Sequence, residues 1–339
     1  MMSEKTRQIL LAARPSGQAT LGDFTLREVS LPSPGDGELL LKGRFLSLDP
    51  YMRGRMDDRE SYAEPAQVGD VMPGESVCVV ETSRHPDYKE GDVVLARTGW
   101  QTKFVCKGNG LRKVDTEIAP MSAYLGVLGM PGFTAYSGLR AIGKPEKGNT
   151  VVVSAAAGAV GSLVGQLAKI WGARVVGIAG GPSKCDFLVA ELGFAGAVDY
   201  KAAEFPEALA RACPNGIDVY FENVGGAVWQ AVLPHLNLFA RVPVCGIIAH
   251  YNAKSASDKD LLPGTIANIL AKRLTMRGFI NFDFATEYFS DFVTEVSSWI
   301  KEGRIQYREH IVDGVENAPK AFLGMLNGEN VGKALIRLS

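Results

Sequence analysis

The chain has 339 residues, 46% hydrophobic and 22% charged, the mix of a soluble globular protein and too long for one ordinary domain. Its 36 basic and 37 acidic residues nearly cancel, so the sequence carries no electrostatic footprint for nucleic acid or an anionic membrane. No stretch reaches the length of a membrane span, and the N-terminal MMSEKTRQILLAAR holds an apolar core of about five residues where a signal peptide needs roughly 7–15, so a cytoplasmic protein is expected.

The first third reads as strands and turns. LREVSLPSPGDGELLLKGRFLSLDP alternates apolar runs with Pro, Gly and Asp, and VMPGESVCVVETSRHPDYKEGDVVLAR repeats the pattern. Residues 1–125 are expected to form a mostly β, barrel-like domain. From 126 the period changes. VVVSA (Val151), RVVGIA (Arg174), GAVDY (Gly196), DVYFENVG (Asp218), RVPVCGII (Arg241) and MRGFI (Met276) are short apolar strands, mostly separated by helical segments such as SLVGQLAKIWG and SKCDFLVAELG. That alternation predicts an α/β fold with a Rossmann-type, doubly wound parallel sheet over 126–304. SDFVTEVSSWIKEG is the last long helix expected. The tail, 305–339, returns to strand-like runs such as GKALIRL and is expected to pair back with the first domain. The last apolar strand, RVPVCGII, suggests a homodimer formed by pairing sheet edges.

Cys78, Cys106, Cys185, Cys213 and Cys245 are scattered, which fits reduced thiols rather than a disulfide framework or a clustered zinc site. The four histidines form no His-x-x-x-His pair. A catalytic metal is therefore not expected.

The stretch VVVSAAAGAVGS runs from a strand through a small-residue turn into a helix. The three fingerprint positions of a dinucleotide turn fall at Ala156, Gly158 and Gly161, with Ala159 and Val160 between the last two. The first is alanine, so the bare match is also that of a tight strand-to-helix turn. The strand before, the helix after and RVVGIA at βαβ spacing favour a pyrophosphate site on the helix N-terminus. An NAD site places an acid about 20 residues on, to hold the ribose hydroxyl. Here there is no Asp or Glu from Gly161 to Cys185, and the second strand ends in Gly180-Gly181-Pro182-Ser183-Lys184. Lys184 alone reads equally as a solvated lysine at a helix start. With the missing acid it favours a 2′-phosphate, and hence NADPH.

Hydride chemistry also needs a group to manage charge and proton. No tyrosine has a lysine four residues later, and Gly74-Glu75-Ser76 stands where a Gly-His-Glu would supply a zinc ligand. Both routes to carbonyl reduction are disfavoured. The motifs LSLDPYMRGRM (Leu46), GMPGFTAYSGL (Gly129), SAAAGAVGS, DVYFENVGG, CGIIAHYN (Cys245) and GENVGKALI (Gly328) run in order over nearly the whole chain. In these the chain resembles the zinc-independent medium-chain dehydrogenase/reductases. More narrowly, it resembles the leukotriene B4 12-hydroxydehydrogenase/prostaglandin reductase branch, with plant double-bond reductases and bacterial curcumin reductase.

The resemblance implies a GroES-like β domain beside the Rossmann domain. It implies NADPH-dependent reduction of a carbon–carbon double bond conjugated to a carbonyl. Tyr251 matches the family's active-site tyrosine, and its other reading is a half-buried loop tyrosine. Tyr51, in Asp49-Pro50-Tyr51-Met52-Arg53, faces substrate by resemblance or simply packs. Arg53 contacts a phosphate or acidic substrate, or forms a structural ion pair. Thr134 matches a contact on the nicotinamide side, and Lys184 and Tyr200 match contacts to the 2′-phosphate. Asn223 and Asn330 match contacts at the ribose and nicotinamide end, and Phe279 and Asn281 line the site. Cys245 and His250 depart from the common pattern, and His250 reads as a neighbour rather than an acid. The competing readings are an NADPH quinone oxidoreductase, which shares fold and cofactor, and an NADPH-binding protein without turnover.

Overall fold

The computed structural model describes residues 4–252 and 262–339, and it forms two compact units, Met1–Gly126 with Glu309–Ser339, and Val127–Arg308. The chain begins with β1 (Lys5–Leu11), β2 (Phe24–Ser30) and β3 (Glu38–Ser47), then the short helix α1 (Tyr51–Arg55), β4 (Ser76–Ser83), β5 (Val93–Ala96), β6 (Lys103–Lys107) and β7 (Arg112–Lys113). It enters the second unit through α2 (Met130–Gly138). There follow β8 (Thr150–Val153), α3 (Ala159–Ile170), β9 (Arg174–Ala179), α4 (Pro182–Asp186), β10 (Gly196–Asp199), α5 (Phe205–Ala212), β11 (Ile217–Phe221), α6 (Gly226–Val232), β12 (Leu236–Val244), α7 (Leu262–Lys272), β13 (Thr275–Gly278) and α8 (Ala285–Lys301). It closes with β14 (Glu309–Asp313), α9 (Ala318–Leu326) and β15 (Lys333–Arg337). No helix among the described residues is long and apolar enough to cross a membrane.

In the first unit a seven-stranded sheet runs β14-β15-β3-β4-β5-β7, with β6 paired to β3, and β1 and β2 form a separate antiparallel ribbon. Leu335–Arg337 pair antiparallel with Ser47–Phe45, so the C-terminal strand belongs to the sheet of the first unit. The core beside it is aromatic and aliphatic. Trp100 stacks on Phe24 at 5.8 Å between ring centres and meets Phe322 of α9 edge-on at 5.4 Å. Gly74 makes room for that ring, since a Cβ there would lie 2.9 Å from Trp100 Cδ1. Helix α9 lies where only strand-like runs were expected. Its buried Ala318, Phe322 and Met325 recur at helical spacing and give it an apolar face.

In the second unit six parallel strands lie in the order β10-β9-β8-β11-β12-β13. Val151–Val153 of β8 are fully buried, which suits β-branched residues covered on both faces. The chain builds outward from β8 through β9 to β10, then crosses back to lay β11 on the other side of β8. The order therefore reverses between β8 and β11, whose carboxyl ends are the ligand position of such sheets. One expectation is corrected here. RVPVCGII is not an edge: β12 lies between β11 and β13, and the edges are β10 and β13. Only Val242 and Pro243 of that run are buried, and Cys245–Ile248 lie beyond the end of β12.

Candidate cofactor and active site

Just past β8 the backbone N–H of Ser154 donates to the Phe221 carbonyl at 3.2 Å, which ties the turn to β11. Ala155 then takes φ +49°, the left-handed region that costs a non-glycine residue roughly 1 kcal/mol or more. The sharp step thus falls one residue before the first fingerprint position. Ala156 is held inside, its N–H donating to the Ile178 carbonyl at 2.9 Å. Gly158 is the N-cap of α3 and supplies no side-chain cap, which leaves the first N–H groups of the helix, at Ala159, Val160 and Gly161, for a ligand. A Cβ at Gly161 would lie 2.5 Å from the Ala155 carbonyl oxygen and 2.8 Å from Ala156 Cα, and one at Gly158 would lie 3.2 Å from that oxygen. The turn and the helix therefore need glycine to close on each other. The cradle fits a pyrophosphate.

At the end of β9 a Cβ at Gly180 would lie 2.9 Å from Tyr200 Cε1 and 3.0 Å from Lys201 Cε. Burial and the nearby Lys201 push the Lys184 ammonium below its ordinary range. Gly180, Lys184, Tyr200 and Lys201 thus form one cluster with two cations. Sequence reasoning missed Lys201 and also Asp199. Asp199 Oδ1 accepts the N–H groups of Gly181 (2.8 Å) and Lys201 (2.9 Å), which shape the loop. The signal for both was Asp-Tyr-Lys directly after a strand that the βαβ order lays beside β9.

Across the switch point, the Asn223 amide donates to the Ser154 carbonyl at 2.8 Å, and its backbone N–H donates to Ser154 Oγ at 2.9 Å. The backbone N–H groups of Cys245 (2.9 Å) and Gly246 (3.2 Å) donate to the Glu222 carbonyl. Burial, then Glu222, pushes the Cys245 thiol up to about 12, so it stays a thiol at neutral pH. Tyr251 follows a short 3₁₀ turn, Ile248–His250, and a Cβ at Gly246 would lie 3.1 Å from its hydroxyl oxygen. His250 packs on Gly225, where a Cβ would lie 3.1 Å from the ring, and so is a neighbour of the tyrosine. Thr134 Oγ1 and Asn281 Nδ2 both donate to the Met130 carbonyl, at 2.8 and 3.3 Å. The Phe279 ring is buried, 6.1 Å from both Phe221 and Phe284, which leaves its backbone for any ligand contact.

In the first unit Tyr51 opens α1. Burial, then the charges of Asp49 and Glu75, holds its phenol well above the usual range, so it remains a hydroxyl donor at any working pH. Arg53 is buried and donates to Asp57 Oδ1 at 2.6 Å and to the Gly17 carbonyl at 2.7 Å, the geometry of the structural ion pair. Asn330 Nδ2 donates to the Gly332 carbonyl at 2.8 Å. Burial, then Asp49, raises the Glu75 carboxyl. Sequence reasoning also passed over Lys333, whose ammonium pairs with Asp49 at 2.6 Å. Among the described residues no group of three His, Cys, Asp or Glu side chains could hold a metal ion.

Residues 7–114 match the family model described as N-terminal domain of oxidoreductase, and residues 159–299 match the one described as Zinc-binding dehydrogenase. The NADPH-dependent curcumin reductase of Escherichia coli (strain K12) is 48% identical over 99% of this chain and 98% of its own. The chain is a medium-chain dehydrogenase/reductase of the prostaglandin and curcumin reductase branch. Two further members of this family fit it well. Prostaglandin reductase 1 of Bos taurus is 42% identical over 95% of both chains. The crystal structure of CurA in complex with NADPH from Vibrio vulnificus superposes with a TM-score of 0.95, at 50% identity, over 98% of this chain and 99% of that one.

Proposed function

We propose that the protein reduces the carbon–carbon double bond of α,β-unsaturated ketones and aldehydes with NADPH. The observation that carries the reading is Tyr251, whose hydroxyl is set against Gly246 beyond the carboxyl end of β12, in the same unit as a turn shaped for a pyrophosphate. Relatives named for reducing curcumin and prostaglandins support it. We assign dinucleotide binding to the parallel-sheet unit and substrate contacts, through Tyr51, to the β unit.

Gly158, Gly161 and the start of α3 hold the pyrophosphate; Lys184, Tyr200 and Lys201 hold the 2′-phosphate. Thr134, Asn223, Asn281 and the backbone at Phe279 contact the ribose and nicotinamide end. Bound NADPH supplies the hydride for the electrophilic β-carbon. As that carbon is reduced, negative charge builds on the substrate's carbonyl oxygen, and the Tyr251 hydroxyl donates a hydrogen bond to it. A proton from solvent or a hydroxyl then completes the α-carbon, giving the saturated ketone. Arg53 keeps its structural partners. Product analysis tests the reading with an enone and a quinone. A saturated ketone is expected; hydroquinone as the sole product, or no NADPH consumption with either, would overturn it.

Cofactor choice gives a sharper test. The Lys184 and Lys201 cations lie close enough to repel each other, and a phosphate dianion relieves that repulsion. Lys184→Ala should weaken NADPH by about 1.5–3 kcal/mol, the scale of a charge-assisted hydrogen bond, and leave NADH nearly unchanged. Equal losses for both, read by fluorescence titration, would remove the phosphate from Lys184.

We also propose a cytoplasmic homodimer. Cys78, Cys106, Cys185, Cys213 and Cys245 are all free thiols, which suits a reducing compartment. Strand β13 leaves an open sheet edge, and Leu262, Ile266 and Leu270 make an exposed stripe on α7 (63%, 53% and 78% exposed). Light scattering that gives the monomer mass at micromolar protein would contradict the dimer.

A further inference from the structure

A buried carboxylate that the proposed reaction does not use joins both loops of the second unit's site. Glu222, 4% exposed, directly follows β11. Four donors converge on its Oε1: the hydroxyls of Ser154 (3.1 Å) and Tyr220 (2.9 Å), and the backbone N–H groups of Val224 (2.7 Å) and Gly225 (3.0 Å). Ser154 is the residue from which the glycine turn departs. Val224 and Gly225 form the loop that follows Asn223.

That loop in turn carries the tyrosine segment. Ile248 N–H donates to the Asn223 carbonyl at 3.2 Å and Ala249 N–H to the Val224 carbonyl at 3.0 Å. Tyr251 N–H closes the turn on the Ile248 carbonyl at 3.3 Å. The chain of contacts therefore runs from the cofactor turn, through one carboxylate oxygen, to the backbone that holds Tyr251.

The chemistry of the node calls for a carboxylate. Its four neighbours are all donors, and an ionised carboxylate is purely an acceptor with bonds about twice as strong as those of a neutral one. A glutamine of the same size accepts more weakly and brings two N–H groups into the node. A carboxylate kept only for folding stability is a weak explanation here, since burying a charge is expensive and an apolar residue would fill the same space.

We infer that Glu222 is a positioning residue: it fixes the Tyr251 segment relative to the cofactor turn and sets where the tyrosine hydroxyl stands when charge develops. The inference rests on the proposed role of Tyr251. The test compares wild type, Glu222→Gln, Tyr251→Phe and the double variant, by enone kinetics, by NADPH titration and by amide hydrogen exchange.

Glu222→Gln should lower kcat at least about tenfold, with KM for the enone and the Kd for NADPH changed less than about threefold. In the Tyr251→Phe background the same change should lower kcat less than about threefold, because the two act through one contact. Exchange should quicken at Val224, Gly225, Ile248 and Ala249, while β8 and β9 stay protected. Tyr220→Phe keeps the ring, removes one donor and should show the same pattern more weakly, which serves if the glutamine variant folds poorly. Equal kcat losses in both backgrounds, or unchanged exchange at these four amides, overturns the inference. The exchange result is independent of turnover. Full kcat in Tyr251→Phe would instead sink the tyrosine's role, and with it the catalytic half of the inference.

Discussion

Replacing Lys333 by methionine should lower the free energy of unfolding by about 3–5 kcal/mol, the loss expected when one partner of a buried ion pair is removed. The pair is closed on all sides. Lys333 Nζ lies 2.6 Å from Asp49 Oδ1, with side chains 4% and 6% exposed. The ammonium also donates to the Leu48 carbonyl at 2.7 Å, and Ser47 Oγ donates to the other Asp49 oxygen. Gly126 makes room for the stem, since a Cβ there would lie 3.3 Å from Lys333 Cγ.

Without the lysine, Asp49 is a buried anion beside Glu75, whose carboxyl burial and Asp49 already raise. Glu309, raised by burial and offset in part by Ser122 and Lys333, would lose a neighbouring cation too. The comparison that isolates the cause is the double variant Asp49→Leu with Lys333→Met. An apolar pair can replace a buried ion pair at little cost, so the double variant should recover most of the loss. Urea denaturation of the three proteins decides it. A single variant within 1 kcal/mol of wild type, or a double variant no better than the single, would show that the charges are not what holds β15 to the end of β3.

The pair also shows where a linear reading stops. Asp49 and Lys333 are 284 residues apart, and nothing local in GENVGKALI sets that lysine apart from a solvated one. The parallel sheet was legible because each strand carries its own signal, a short β-branched run with a helix on either side. Its lateral order was not. Strand β13 reads TMRG, half polar, because an edge strand needs less apolar surface. The more apolar RVPVCGII, which the sequence suggests as an edge, lies one place inside it.

The strained step of the glycine turn falls on Ala155 rather than on the alanine at 156, which only backbone angles reveal. Lys201 and Glu222 escaped notice for a related reason. Each matters through what the fold lays beside it.

The second large effect concerns Tyr251. Its hydroxyl is held against Gly246 by a segment tied to the loop that follows β11, so phenylalanine can occupy the same place without the donor. A donor to a developing oxyanion acts mainly in the transition state, and its loss costs about 10²–10³ in kcat. A ribose hydroxyl of bound NADPH would be a second donor to that oxygen, which sets the expectation at about 10² or somewhat less. Tyr251→Phe should therefore lower kcat and kcat/KM on an enone by similar factors, the signature of a contact made in the transition state.

NADPH affinity should hardly move, because the ring still packs and Lys184, Tyr200 and Lys201 are untouched. Tyr51→Phe is the control from the other unit. Its phenol is held protonated by burial and by Asp49 and Glu75, so it too is a competent donor. A larger fall in kcat there would move the oxyanion contact to the β unit. The proposal for Tyr251 is lost if its phenylalanine variant keeps full kcat, or if only KM rises, since the hydroxyl then contributes to binding and not to the chemical step.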